Sequence, residues 1–333
     1  MSTVGYGQKA TYVGQTVAEN RGVLVTSRPI NNGIVTDWDA MEHFWFHMYY
    51  DKLMTPSEEH GILHTEPVDN PPANREKLIE LMFEQFGVPS TALVTTSTLA
   101  LYASGVTTGL VVESGFDETR VVPVYEGIAY LKTERMPVGG RHVTQYMIRL
   151  LNDRGFNFTT PKDWDIARTV KEEQCYSALD FQRELAESFV GAEEFVKSDS
   201  KQYRLPDGSF VQVRSEAFRA PEILFNPGLF NIESKLGGVH EIIFKALTIR
   251  SIDEYKDMPN NIVLAGGNTL FPRLQTRLEN VLKSRIIANP ERRYAAWIGG
   301  SVMASAPDFQ RQCISKDEYF EHGTQIVNSK CFM

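Results

Sequence analysis

Hydrophobic positions in this chain recur at helical spacing in some stretches and as short unbroken runs in others. Residues 37–53, DWDAMEHFWFHMYYDKL, set Met41, Phe44, Trp45, Met48 and Tyr49 three and four apart behind Asp37. That spacing predicts a helix capped by Asp37, with those side chains forming a stripe that faces a core. Leu78, Leu81, Met82 and Phe86 predict a second helix, beginning after Asn74 and stopped by Gly87-Val88-Pro89. STLALYASG (97–105) reads as a short helix ended by Ser104-Gly105, and TTGLVV (107–112) as the strand that follows it.

The next stretch, VVESGFDETRVVPVYEG (111–127), predicts strand, glycine turn, strand. VGGRHVTQYMIRLLNDRG (138–155) gives a glycine turn entering a helix, and TTPKDWDIARTVKEEQCYSAL (159–179) a long amphipathic helix with Thr160 as cap and Pro161 at its first position. Residues 2–14 and 187–201 read as irregular surface loops, and YRLPDGSFVQV (203–213) as a hairpin turning on Pro206-Asp207-Gly208. NNIVLAGGNTLFPRLQTRLENVLK (260–283) predicts strand, Gly-Gly turn and a helix with Leu270, Leu274, Leu278 and Leu282 on one face; WIGGSVMASAPDF gives another glycine-started helix. Strand–turn–helix units alternating with helices predict an α/β protein. A chain of 333 residues exceeds the usual single core, so two lobes are expected.

Composition narrows the function. A net charge of −8, with Lys and Arg scattered, excludes nucleic acid and anionic membrane as main partners. The 3 cysteines, Cys175, Cys313 and Cys331, stand far apart with no CxxC spacing, which predicts free thiols in a reducing compartment. The first residues have no basic head or apolar stretch, and no segment is apolar for a bilayer's width, so a cytoplasmic location is expected. His142 and His240 lack zinc-ligand spacing and read as surface or packing residues, so no metal site is expected. Ser114 has no His or Asp arrangement that would make it a nucleophile. The turn at Glu113-Ser114-Gly115 can offer amides and a hydroxyl to a phosphate, with a carboxylate beside them.

These stretches together resemble the actin family, in the family's order and over nearly the whole chain. The resemblance is carried by VGYGQKATYVG, RGVLVTSRPINNGIVTDWDAMEHFWFH, TEPVDNPPANREKLIELMFEQFGVP, LALYASGVTTGLVV, PEILFNPGLFNIES, NIVLAGGNTLFPRLQTRLE and NPERRYAAWIGGSVMAS. It implies the two-lobed α/β fold shared by actins, 70-kDa chaperone ATPases and hexokinases. By resemblance the first lobe (subdomains 1 and 2) takes residues 1–102 and 296–333, and the second (subdomains 3 and 4) residues 103–295. The family's first strand hairpin, whose loop embraces the phosphates, has no counterpart here, so the fold is expected to be N-terminally truncated.

The resemblance also assigns the site. The position that orients the attacking water falls at Thr96, the metal-side aspartate at Glu113, a second aspartate at Phe116 and the catalytic histidine at Arg120. A threonine is too short for the first task, and an arginine accepts no proton, so ATP hydrolysis is not expected. ATP or ADP with Mg²⁺, weakly held or absent, would lie among Ser114, Gly115, Gly140, Arg141, Lys171, Glu172, Gly266, Gly267, Asn268, Phe271 and Arg293. A partner groove would be lined by Tyr102, Ala103, Gly105, Thr107, Ile298, Val302, Met303, Ala306 and Phe309, taking helix-inserting proteins or actin-family subunits. FNPGLFNIESKLGGVHE resembles the family's apolar plug but is longer, so self-assembly into filaments is doubtful. The expected role is a structural or scaffold subunit of a cytoskeletal assembly; the alternative is a filament-forming, ATP-hydrolysing actin whose start is misassigned.

Overall fold

The structure is a computed structural model, describing residues 11–14, 16–17, 24–190, 202–204, 208, 210–248 and 258–331. It divides into two compact units: the described residues up to Val94 with those from Ala306 on, and the described residues from Thr95 to Ser305.

In the first unit, α1 (Trp38–Phe46) starts on Asp37, whose carboxylate accepts the Ala40 N–H at 3.0 Å. Met41, Trp45 and Tyr49 are buried, but Phe44 is 43% exposed, a correction to the expected stripe. The buried line runs every fourth residue, and beyond Phe46 the helix widens to a π-helical turn over His47–Leu53. Phe44 lies about 100° round the axis from Trp45, and so faces water. Strand β1 (Ile62–Glu66) is followed by α2 (Pro72–Glu80), which begins earlier than expected because Pro72 suits a first turn. Strand β2 (Ser90–Thr95) lies between β1 and the two-residue strand Ile314–Ser315. Leu78, Leu81, Met82 and Phe86 are buried as predicted, and Phe83 stacks on Tyr319 at 4.6 Å between centroids.

The second unit runs α3 (Thr96–Ala103), β3 (Gly109–Ser114), β4 (Thr119–Tyr125), β5 (Ile128–Ala129), β6 (Glu134–Met136), α4 (Gly140–Asp153) and α5 (Pro161–Gln174). It continues with α6 (Val239–Thr248), β7 (Ile262–Ala265), α7 (Leu274–Leu282), β8 (Ile286–Ile287) and α8 (Ala295–Ala304). The sheet order is β8-β7-β3-β4-β5, with β6 also on β4. Strand β7 pairs parallel to β8 and β3, while β3 and β4 form the antiparallel hairpin that the glycine turn predicts. Leu110, Val111 and Val112 are all buried, as an unbroken apolar run requires of a strand covered on both faces. Thr160 caps α5 as expected, its hydroxyl accepting the Asp163 N–H at 3.2 Å.

Two expectations shift. The leucine stripe begins at Leu274, because Arg273 takes φ +67° and breaks the helix before it; Leu270 is 38% exposed and Phe271 turns inward instead. Residues 187–190 close the helix Phe181–Val190, while 191–200, like 1–10, lie outside the described residues. Gln202–Arg204 and Phe210–Gln212 pair antiparallel as the predicted hairpin, with Pro206 and Asp207 outside the described residues. Helices α3 and α8 lie in the second unit. They cross so closely that a Cβ on Gly299 would stand 1.8 Å from the Leu99 carbonyl oxygen, a contact only glycine permits. All three cysteines are buried and free. Among the described residues, no helix is long and apolar enough to cross a membrane.

Candidate functional site

The sheet of the second unit brings the turn after β3 and the turn after β7 side by side, because Val111 and Val263, then Glu113 and Ala265, are in register. Gly266 lets them touch: it has φ +92°, and a Cβ would stand 2.4 Å from the Ser114 carbonyl oxygen. Arg292 holds the second turn from outside, donating to Thr269 Oγ1 at 3.0 Å and to the Thr269 carbonyl at 2.9 Å.

The β3–β4 loop docks on the N-terminus of α4. Gly140 N–H donates to the Gly115 carbonyl and Arg141 N–H to the Phe116 carbonyl, both at 2.9 Å. A helix N-terminus is a ready anion site, but here its first two amides serve the loop. Gly115 N–H is bonded to the Glu118 carbonyl at 3.1 Å. His142 Nδ1 accepts the Gly139 N–H at 3.0 Å, and burial, helped by Arg141, holds this imidazole below its usual pKa. His142 therefore caps the start of α4.

Ser114 lies beneath this loop, 3% exposed, in a relay whose direction is fixed. Thr119 Oγ1 donates its one hydrogen to the Val138 carbonyl at 2.7 Å, so at its 2.7 Å contact with Ser114 it accepts. Ser114 Oγ, its hydrogen spent on Thr119, accepts from Asn268 Nδ2 at 2.8 Å. The Asn268 amide is thereby oriented, and its Oδ1 is buried without a hydrogen-bond partner.

The three remaining positions assigned to catalysis are occupied with one another or with neighbours. Ser97 Oγ donates to Glu113 Oε1 at 3.1 Å, and the Thr96 hydroxyl also hydrogen-bonds this carboxyl. Burial pushes Glu113 above the usual carboxylate range, against the pull of those hydroxyls and of Arg120. Arg120 stands opposite Glu113 across the strands and donates its Nε to Glu118. Ser97 and Glu118 were missed in the sequence; the helix N-terminus at Thr96 and the strand alternation at Arg120 were the signals available.

Beside the loop opens a cleft of about 330 Å³ lined by Gly115, Phe116, Gly140, Arg168, Lys171, Glu172, Gly267, Asn268, Leu270, Phe271 and Arg293. Eight of these were expected to hold the nucleotide and Phe116 to stand at a catalytic position; Arg168 and Leu270 were not expected, although Arg168 sits one helical turn before Lys171. Ser114, Gly266 and Arg141 do not line the cleft. Ser114 and Gly266 pack against each other where the two turns meet, and Arg141 reaches Asp117 at 3.3 Å. Lys171 is 7% exposed; its ammonium donates to the Gly140 carbonyl at 3.4 Å and stands 3.9 Å from Glu172. Burial lowers its pKa, with Glu172 opposing and Arg168 and Arg293 adding to the effect. Three cations against one carboxylate, an aromatic wall at Phe271 and an open acceptor at Asn268 suit a ligand with an anionic part, a flat part and a hydrogen-bond donor. The base and sugar of a nucleotide fit this donor set. On the phosphate side, the α4 amides and the Ser114 hydroxyl are already bonded.

The expected groove residues divide between the units. In the second, Gly105, Thr107 and Val302 are exposed, Tyr102, Ala103 and Ile298 half-buried, and Met303 buried. In the first, Ala306 is exposed and Phe309 buried. Met303 is 8% and Phe309 9% exposed.

The sequence matches the Actin family model over residues 2–332, nearly its full length. With the mixed α/β sheet and the paired turns of the second unit, that match establishes an actin-like fold: the chain belongs to the actin family.

Proposed function

We propose that this chain is a structural subunit of a cytoskeletal protein assembly, holding a purine nucleotide in the cleft beside Lys171 and Asn268 without hydrolysing it. The observation that carries this reading is the bonding of Thr96 to Glu113. Phosphoryl transfer to water depends on a side chain that orients the water and on a metal-binding carboxylate. Here the first is a short hydroxyl committed to the second, and burial favours the protonated form of that carboxyl. Arg120, at the position of the catalytic histidine, pairs with Glu118 and accepts no proton.

Retention of nucleotide is supported by the cleft's size, its three cations and the Phe271 wall. A role in assembly is supported by α8 and the residue before it, where Tyr294, Trp297 and Val302 are 55%, 75% and 55% exposed. Exposed aromatic and aliphatic side chains on one helix suit protein partners, whether actin-family subunits or proteins that insert an amphipathic helix. Two measurements test the reading together: titration with a fluorescent ATP analogue, and sedimentation of the protein alone at raised Mg²⁺ and salt. Saturable binding weakened by Lys171→Ala, with the protein in the supernatant, is expected. Absence of binding, or a pellet of helical filaments, would overturn it.

A further inference from the structure

The first unit holds a cavity of its own, of about 460 Å³, between α1 and residues 11–16. His43 and His47 both line it. The His47 N–H donates to the His43 carbonyl, so one full α-helical turn separates the two. At that spacing side chains are neighbours on one helix face, with Cβ atoms about 5–6 Å apart. The spacing is plain in HFWFH (43–47), and its chemistry depends on Asp51 and Gly14.

His47 Nδ1 stands 2.7 Å from Asp51 Oδ2, one turn further on. A carboxylate only accepts, so Nδ1 carries the hydrogen and the neutral ring keeps its lone pair on Nε2. Nε2 is buried and has no hydrogen-bond partner. It faces Gly14, where a Cβ would stand 3.4 Å from it. Gly14 takes φ +72°, a conformation that suits glycine, so the room beside the nitrogen stays open. A buried lone pair without a donor costs free energy. A water hydrogen-bonds no closer than about 2.7 Å, whereas a zinc–nitrogen bond is about 2.0–2.1 Å. An ion therefore reaches this nitrogen where a water does not.

A carboxylate on one imidazole nitrogen and a bare lone pair on the other is the arrangement that orients histidine metal ligands. Imidazole suits Zn²⁺, Cu²⁺ and Ni²⁺, while Mg²⁺ and Ca²⁺ take oxygen. Among the described residues, no three His, Cys, Asp or Glu side chains group as a metal centre. Two imidazoles with water completing the shell therefore make an exchangeable site rather than a closed structural one.

We propose that His43 and His47 bind a late first-row divalent cation of the zinc class in this cavity. Asp51 is the positioning residue: it holds the His47 ring in the tautomer that offers Nε2 to the ion. The site does not depend on nucleotide binding in the second unit.

The test titrates Zn²⁺ into the full chain by calorimetry, with Mg²⁺ in excess. One Zn²⁺ per chain is expected, with an affinity that Mg²⁺ does not change. His43→Ala should lower that affinity about tenfold or more, since it removes a ligand. Asp51→Asn should lower it about tenfold, because losing the partner of a ligating histidine typically costs about 10–100-fold. His43 is exposed, so its variant keeps the fold if His47→Ala does not. Cu²⁺ loaded in place of Zn²⁺ should show the electron-spin-resonance splitting of two imidazole nitrogens in wild type and of one in His43→Ala. Packing alone does not move that signature. No saturable binding, equal affinity in wild type and His43→Ala, or displacement by Mg²⁺ would overturn the metal site. Asp51→Asn affinity within twofold of wild type would overturn the role of Asp51.

Discussion

Replacing Ser114 by alanine separates a structural serine from a phosphate-binding one. Its hydroxyl is 3% exposed and makes two bonds, accepting from Asn268 at 2.8 Å and donating to Thr119 at 2.7 Å. Ser114→Ala strands a buried Asn268 N–H, which costs about 1–3 kcal/mol, and removes two bonds each worth a net ~0.5–1.5 kcal/mol. These terms overlap, so the loss is about 2–4 kcal/mol in the second unit. In a unit on the order of 200 residues, each kcal/mol moves the midpoint by roughly 2–4 °C, giving a fall of about 4–16 °C without ligand. ATP affinity is expected to fall less than about tenfold, since the hydroxyl reaches the ligand only through Asn268. Calorimetric melting and ATP titration of both proteins read the two quantities. An unliganded melt unchanged within error, together with a loss of ATP affinity well beyond tenfold, would refute the relay and return Ser114 to the phosphate.

The remaining predictions concern the same unit. Lys171→Met should weaken nucleotide binding about tenfold yet raise the midpoint at neutral pH by roughly 2–4 °C, because it removes a buried ammonium whose desolvation the fold carries for the ligand's sake; paired titrations and melts check it. Glu113 has a raised pKa when folded, so the folded protein holds this proton more tightly than the unfolded chain. Stability is therefore lost as pH rises from the ordinary carboxylate range through the raised value. Melts from about pH 4 to 8 should show part of that loss missing in Glu113→Gln. Gly299→Ala should destabilise by about 3 kcal/mol or more, since its methyl meets the Leu99 carbonyl and forces α8 off α3; a melt within error of wild type would contradict that packing.

The parts of this molecule legible in sequence were those encoded locally. The unbroken apolar runs around Val111–Tyr125 and the period-3.6 pattern around Leu78–Phe86 placed strands and helices, and Asp37 and Thr160 marked helix starts through chemistry confined to one turn. The family resemblance located Lys171, Glu172, Gly267 and Phe271 at one cleft. What stayed hidden depends on contacts distant in sequence. Asn268 reaches Ser114 across 154 positions, and only the hydrogen count of the Thr119 hydroxyl orients it. Phe44 looked like core because helical spacing tolerates two adjacent faces, and packing against Phe86 and Leu78 chose the other. Leu270 looked continuous with Leu274 because the φ +67° of Arg273 leaves no trace in residue type.

The fate of bound ATP tests the central claim most directly. The purified chain is loaded with ATP and Mg²⁺, freed of unbound nucleotide, and sampled over hours by denaturation and chromatography of what is released. The account predicts that the nucleotide recovered remains ATP, decaying no faster than in buffer, in wild type and in Thr96→Ala alike. Conversion of bound ATP to ADP and phosphate in wild type, abolished in Thr96→Ala, would show that Thr96 and Glu113 still perform the chemistry that their bonding is here taken to forbid.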